Sequence, residues 1–232
     1  MKINKENLMK NANIQIEAML ETLNSVGTIK LSDLNPEETL LTIIDMNNGF
    51  AKAGNLYSPF VEAIIPCVEN LAKNCKDKGI KIIAYTDAHT NKSKEFENYP
   101  IHCLEDTIES ELIDELKEME DIIILPKNST NGFISNNPFG GTINCGTAFS
   151  FIDYTKIKNH IVTGCVTDIC VYQYATSLKA FINENNLNAQ VIVPVDCVDT
   201  FDIPEIHNRD FMNLVFLNSM ISNGIKVVKG IK

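Results

Sequence analysis

Arginine is nearly missing from this 232-residue sequence, where Arg209 stands alone. Lys and Arg together number 20 against 30 Asp and Glu, a formal net charge of −10. So acidic a chain lacks the basic stripe that a phosphate backbone requires, which argues against a nucleic-acid partner. No apolar run approaches the roughly 20 residues that span a bilayer, so no membrane span is expected. The opening stretch, MKINKENLMKNANIQIEAML, carries lysines but no continuous apolar segment and does not read as a secretion signal. Linkers, internal repeats and low-complexity tracts are absent. No two of the seven cysteines (67, 75, 103, 145, 165, 170 and 197) form a CxxC pair. Their odd number, in a chain long enough to bury its own core, points to reduced thiols and a cytoplasmic setting rather than a disulfide framework.

What is present alternates. Apolar runs at 40–44, 80–85, 122–125, 160–164, 191–195 and 225–228 suit strands covered on both faces, as in a parallel sheet. Helical patterns fall between them at 60–78, 108–119, 168–186 and 205–223, and Gly79 and Gly224 sit where helices should end. Ile14, Ile16, Met19, Leu20 and Leu23 make 5–25 an amphipathic helix ahead of the main fold, closed by Gly27. The expected class is α/β: a doubly wound, mostly parallel sheet of about six strands with helices on both faces, plus an N-terminal helix. Residues 1–38 are expected as a helical extension and 39–232 as the main domain. The Gly- and Asn-rich stretch 128–147 reads as a long loop, and long loops in compact domains tend to be functional.

Ligands of such sheets bind beyond the carboxyl ends of the strands. The residues found there are Asp45, Asp87 with His89, Lys127, the segment Val166 to Cys170, and Asp196. Cys170 falls in the first turn of a helix beginning near Asp168, where the dipole favours thiolate. Lys127 could add positive charge beside it, and Asp45 could carry protons between thiol, water and a leaving amine. Taken singly, each has a plainer reading: a buried small hydrophobe, a loop cap, a solvated lysine. Asp87, His89, Glu95 and His102 form a second set, two imidazoles and two carboxylates suited to Zn²⁺, Mn²⁺ or Fe²⁺, with Glu97 as a rival to Glu95. The plain reading of that set is surface histidines among acids.

The segments IIDMNNGF (43–50), YTDAH (85–89), EFENYPIHC (95–103), LPKNSTNGF (125–133) and GCVTDICV (164–171) carry a family resemblance. In order and separation they resemble the isochorismatase-like cysteine hydrolases, and among these the nicotinamidases, over about residues 40–200. The resemblance implies an isochorismatase-like hydrolase domain with a catalytic triad of Asp45, Lys127 and Cys170. It implies a cis peptide between Cys165 and Val166 and an oxyanion hole from the N–H groups of Val166 and Cys170. A divalent metal, Zn²⁺ in the first instance, is implied on Asp87, His89, Glu95 and His102, and an aromatic pair, Phe50 and Tyr99, around a substrate ring. The implied reaction is hydrolysis of nicotinamide to nicotinate and ammonia through a thioester, a step of NAD salvage. Alternatives are a related amidase for a ureido, N-carbamoyl or other small amide, an isochorismate-cleaving hydrolase, and, from another class, a thiol-based redox or binding protein. The partner expected is a small amide, and a homo-oligomer is left open. Two departures stand out: Asn47 replaces the usual Gln, and Asp106–Thr107 the usual Gly-Thr.

Overall fold

The computed structural model describes residues 3–137, 141–142 and 156–232. Part of the 128–147 loop, Cys145 included, lies outside them. Helix α1 (Lys5–Ser25) precedes β1 (Thr39–Ile44), the short α2 (Asn48–Ala51), and α3 (Pro59–Ala63) with α4 (Ile65–Asp77). Then come β2 (Lys81–Asp87), α5 (Asp114–Lys117), β3 (Ile122–Lys127) and the small strands β4 (Asn136–Asn137) and β5 (Gly141–Thr142). The chain continues with β6 (Asn159–Cys165), α6 (Tyr172–Glu184), β7 (Gln190–Pro194), β8 (Val198–Asp199), α7 (Arg209–Ser222) and β9 (Lys226–Val228).

Seven strands form one parallel sheet in the order β3-β2-β1-β6-β7-β9, with β8 extending the pairing of β6, while β4 and β5 pair antiparallel on their own. Alternate residues of β1 explain the doubled core. Leu41 and Ile43 face a layer built on α4, with Val68, Leu71 and Ala72. Leu40 and Ile44 face the layer of α6 and α7, with Tyr174, Leu178, Leu217 and Met220. Every residue of β1 is buried, as a central strand covered on both sides requires.

The strand order reverses between β1 and β6, and that switch point is where such sheets open a crevice at their carboxyl ends. The two strands approach unusually closely there. Gly164, at φ +106°, pairs with Ile44, and a Cβ on it would lie 2.0 Å from the Ile44 carbonyl oxygen, so only glycine fits. Asp45 follows at once in the left-handed region, φ 51°, sparsely populated for a non-glycine residue.

Two expectations change. Segment 108–119 is not one helix but a turn at Ile108–Ser110, an extended piece and the single-turn α5. Leu112 forms a bridge with Asn47, and burial of Leu112, Ile113 and Leu116 is met by that mixed conformation. Cys67 and Cys197, 130 residues apart, are joined as a disulfide with Cα atoms 5.5 Å apart, a pairing that only the tertiary fold creates. Arg209, the lone arginine, grips Asp199 through Nε (2.9 Å) and Nη2 (2.6 Å), tying α7 to β8.

His160, fully buried on β6, has its pKa pushed down by burial to about 4. The unfolded chain therefore binds a proton that the native state refuses between about pH 6.5 and 4, and stability falls as pH drops through that window. The full loss from this residue is about 3 kcal/mol. Urea melts of His160→Asn should gain that much relative to the wild type between pH 7 and pH 4. A constant difference between the two proteins would show that His160 does not govern the acid limb.

Candidate active site

Asp45 leaves β1, Asp87 and Lys127 end β2 and β3 side by side, and Cys170 stands in a tight turn after β6. That turn, Thr167–Val171, has π geometry and runs into α6. The Cys165–Val166 peptide is cis, and the Cys165 thiol donates to the Asp45 carbonyl at 2.9 Å. One carboxylate oxygen each from Asp45 and Asp87 and the Cys170 sulfur all lie within 4.8 Å of one another. The Lys127 ammonium, wholly buried, sits 2.8 Å from Asp45 Oδ2, touches Asp87 Oδ1 and donates to the Ser129 carbonyl at 2.9 Å.

The charges order the site. Burial opposes the Lys127 ammonium, but Asp45, Asp87 and Cys170 hold it firmly protonated. Burial and then the neighbouring Asp87 raise Asp45 to about 7, against the pull of Lys127. Asp87 goes the other way: burial would raise it, but Lys127 and the two imidazoles keep it well below the carboxylate range. For Cys170, burial pushes the thiol up, Lys127 opposes, and the two carboxylates push it further up. The resting nucleophile is thus a thiol rather than the thiolate that a helix terminus suggested. Its natural acceptor is Asp45, a carboxylate whose basicity matches neutral pH.

On the far side of Asp87 lies the second set. Asp87 Oδ2 is 3.3 Å from His89 Nε2 and 3.7 Å from His102 Nε2, and Glu95 Oε2 is 3.7 Å from His89 Nε2. His102 Nδ1 faces the Pro100 carbonyl at 2.8 Å, and His89 Nδ1 faces Asn128 Oδ1 at 3.4 Å. With a cation bound, those acceptors would take a ring proton on Nδ1 and leave the Nε2 lone pairs facing inward. His89 Nε2 and Glu95 Oε2 are buried with no hydrogen-bond partner among the described residues. Asp87, His89 and His102 each bring one donor atom within 4.8 Å of the other two, a buried group that fits a divalent cation, and Glu95 approaches it only at His89. Glu97 turns away to Lys94 at the surface.

Both sets face one cavity, walled by Phe50, Leu56, Tyr99, Val166, Ile169 and Phe201, with Asp45, Asp87, Glu95, His102 and Cys170 also in its lining. Phe50 and Tyr99 lie with ring centroids 5.6 and 6.3 Å from that of His102. Several contributors escape sequence reasoning. Asn47 spans two loops, donating to the carbonyls of Asp87 (2.9 Å) and Ser110 (2.8 Å), and the Thr130 N–H binds Glu95 Oε1 at 2.5 Å. Asn47 is the residue that replaces the usual Gln, which was its one signal. Asp106, standing where Gly is usual, has φ 62°, a conformation that Asp tolerates. Asp196, the remaining strand-end acid, lies outside the cavity beside the Cys67–Cys197 pair.

A switch-point crevice with a buried cysteine, lysine and aspartate is the layout of a cysteine hydrolase on a doubly wound sheet. Known proteins agree: the profile of the Isochorismatase domain matches residues 39–223, and the chain belongs to the isochorismatase family. It is 33% identical to Nicotinamidase 1 of Arabidopsis thaliana, over 82% of this chain and 85% of that one. Among solved structures, the zinc complex of the pyrazinamidase of Pyrococcus horikoshii is 26% identical, covers 83% of this chain and 99% of its own, and superposes with a TM-score of 0.64. N-carbamoylsarcosine amidase from Thermoplasma acidophilum shares the fold at 20% identity and a TM-score of 0.65, over 83% and 96% of the two chains. Among the described residues no helix is long and apolar enough to cross a membrane.

Proposed function

We propose that the protein is an amidohydrolase that converts nicotinamide to nicotinate and ammonia, with Cys170 as nucleophile. The observation that carries this reading is Asp87. One of its oxygens meets the Lys127 ammonium of the thiol site and the other meets His89 and His102, so a group held at the cation site and a carbonyl beside Cys170 share one cavity. A pyridine carboxamide presents that pair of groups on a flat ring, and Phe50 and Tyr99 supply faces to stack on it.

Asp45 takes the thiol proton as sulfur attacks the amide carbon, with the Val166 and Cys170 N–H groups receiving the oxyanion. The same proton passes from Asp45 to the leaving nitrogen, the C–N bond breaks, and ammonia departs from a thioester. Water then gives a proton to Asp45 and attacks the acyl carbon; collapse releases nicotinate, and the Asp45 proton returns to sulfur. Lys127 keeps Asp45 in place and balances its charge throughout. Asp87, His89, Glu95 and His102 would hold a divalent cation, most simply Zn²⁺, which supplies a Lewis-acid position for a substrate heteroatom.

The second reading, an N-carbamoyl amino acid, is disfavoured by charge. Such a substrate brings a carboxylate, yet none of the described residues lining the cavity is Lys or Arg. In a panel assayed for ammonia, kcat/KM for nicotinamide should exceed that for N-carbamoylsarcosine by at least about 100-fold, because a buried charge without a partner is strongly rejected. Chelation should lower turnover of nicotinamide and added Zn²⁺ should restore it. Preference for the carbamoyl compound would transfer the assignment to the second reading.

A further inference from the structure

Asp168 stands two residues before the nucleophile, in the first turn of its helical segment, where an acid ordinarily serves the helix start. It is buried and reaches across to the loop after β8: Oδ1 accepts from Thr200 Oγ1 at 2.6 Å and Oδ2 lies 2.8 Å from His207 Nε2. The other nitrogen of that imidazole, Nδ1, lies 3.0 Å from the Phe201 carbonyl oxygen. The rings of Phe201 and His207 pack with centroids 4.2 Å apart and planes inclined at 39°. His207 is itself fixed by paired backbone hydrogen bonds with Ile203, of 2.8 and 2.9 Å. The stretch 202–206 between them is otherwise exposed. Phe201 is thus tied to the nucleophile turn indirectly, through its neighbour Thr200 and through His207, and lines the cavity with Phe50 and Tyr99.

We infer that Phe201 is a specificity-determining wall for flat aromatic amides, and that the Asp168–His207 pair is its positioning device. This rests on the amidohydrolase reading above and extends it to a residue that touches neither sulfur nor cation site. Without the clamp, a phenyl ring on an exposed loop is free to rotate out, and the ring-binding slot loses a wall beside those of Phe50 and Tyr99. A wall lost to a bound ring weakens its binding before and during reaction alike, so KM rises while kcat holds.

The test is a double-mutant cycle on nicotinamide hydrolysis, with folding checked by urea melts. Phe201→Ala should raise KM about tenfold, the equivalent of about 1.4 kcal/mol, and change kcat by less than about threefold. Phe201→Tyr should keep the wild-type KM. His207→Ala should raise KM similarly on its own and add almost nothing in the Phe201→Ala background, because both act through one ring. Where His207→Ala does not fold, Asp168→Asn closes the same cycle. An unchanged KM in Phe201→Ala, a kcat that falls as far as KM rises, or a His207 effect undiminished in the double variant would each overturn the inference. Ammonia release by the wild-type chain reports on the underlying reading separately: an inactive wild type sinks that reading, whereas an active one with an indifferent Phe201 sinks only this one.

Discussion

Cys170→Ala is expected to release no measurable ammonia from nicotinamide, a loss of roughly 10⁴-fold or more by the scale of nucleophile deletions in other triads. The size of the effect follows from the chemistry. Asp45 and Lys127 remain, but neither is placed to form the covalent bond that divides amide cleavage into two easier steps. The substitution removes a sulfur from a buried turn and leaves Val171, Tyr174 and the rest of the core layer untouched. The variant should therefore melt close to the wild type, and its bound metal, measured by elemental analysis, should be unchanged. Retained turnover would exclude covalent catalysis by this residue, and loss of metal together with activity would show that the two halves of the site are not separable.

Lys127→Met should combine the largest loss of stability with a loss of activity. The Lys127 ammonium is the counter-ion for two buried carboxylates, Asp45 and Asp87. Removing one partner of a buried ion network leaves uncompensated charge and costs about 3–5 kcal/mol. For a chain of this size that lowers the melting temperature by roughly 10 °C. Activity should fall by at least about 10²-fold, because Asp45 loses the group that orients it and holds it ionised to accept the thiol proton. The deficit in stability should shrink as pH is lowered, since protonating Asp45 removes the charge that Lys127 neutralised. Lys127→Arg should not restore activity: a planar fork does not replace a point charge shared between two carboxylates. A melting temperature equal to the wild type at neutral pH would mean that the two carboxylates are not held ionised together.

How much of this could be read from residues alone depended on whether a residue's role is set by its place along a strand. Asp45, Asp87, Lys127 and Cys170 could be found because a parallel sheet with both faces covered writes its strands as apolar runs, and the first polar residues after those runs must stand at the open edge. The same rule picked out Asp196, which lies outside the cavity, so position narrows the candidates without selecting among them. Glu95 and Glu97 could not be separated by spacing. What separates them is the 3₁₀ turn Lys94–Glu97, which turns Glu95 inward to the Thr130 N–H and Glu97 outward to Lys94. The clamp of Asp168, Thr200 and His207 was illegible because Thr200 and His207 lie 32 and 39 residues from Asp168 and each has a commoner structural role. The 108–119 segment misled for a related reason. Its apolar spacing fits a helix, but the bridge from Leu112 to Asn47, a partner 65 residues upstream, decided its backbone. For Cys170 a helix terminus is visible in sequence, whereas the burial and the two carboxylates that push its thiol up are not.

The central claim is that an acyl group passes through the sulfur of Cys170. Rapid acid quenching of the metal-loaded enzyme with nicotinamide, followed by peptide mass spectrometry, tests it directly. A nicotinoyl group on the peptide containing Cys170, formed as the first equivalent of ammonia appears, is the expected result. First-turnover ammonia with Cys170 unmodified, or the acyl group on a different cysteine, would contradict it.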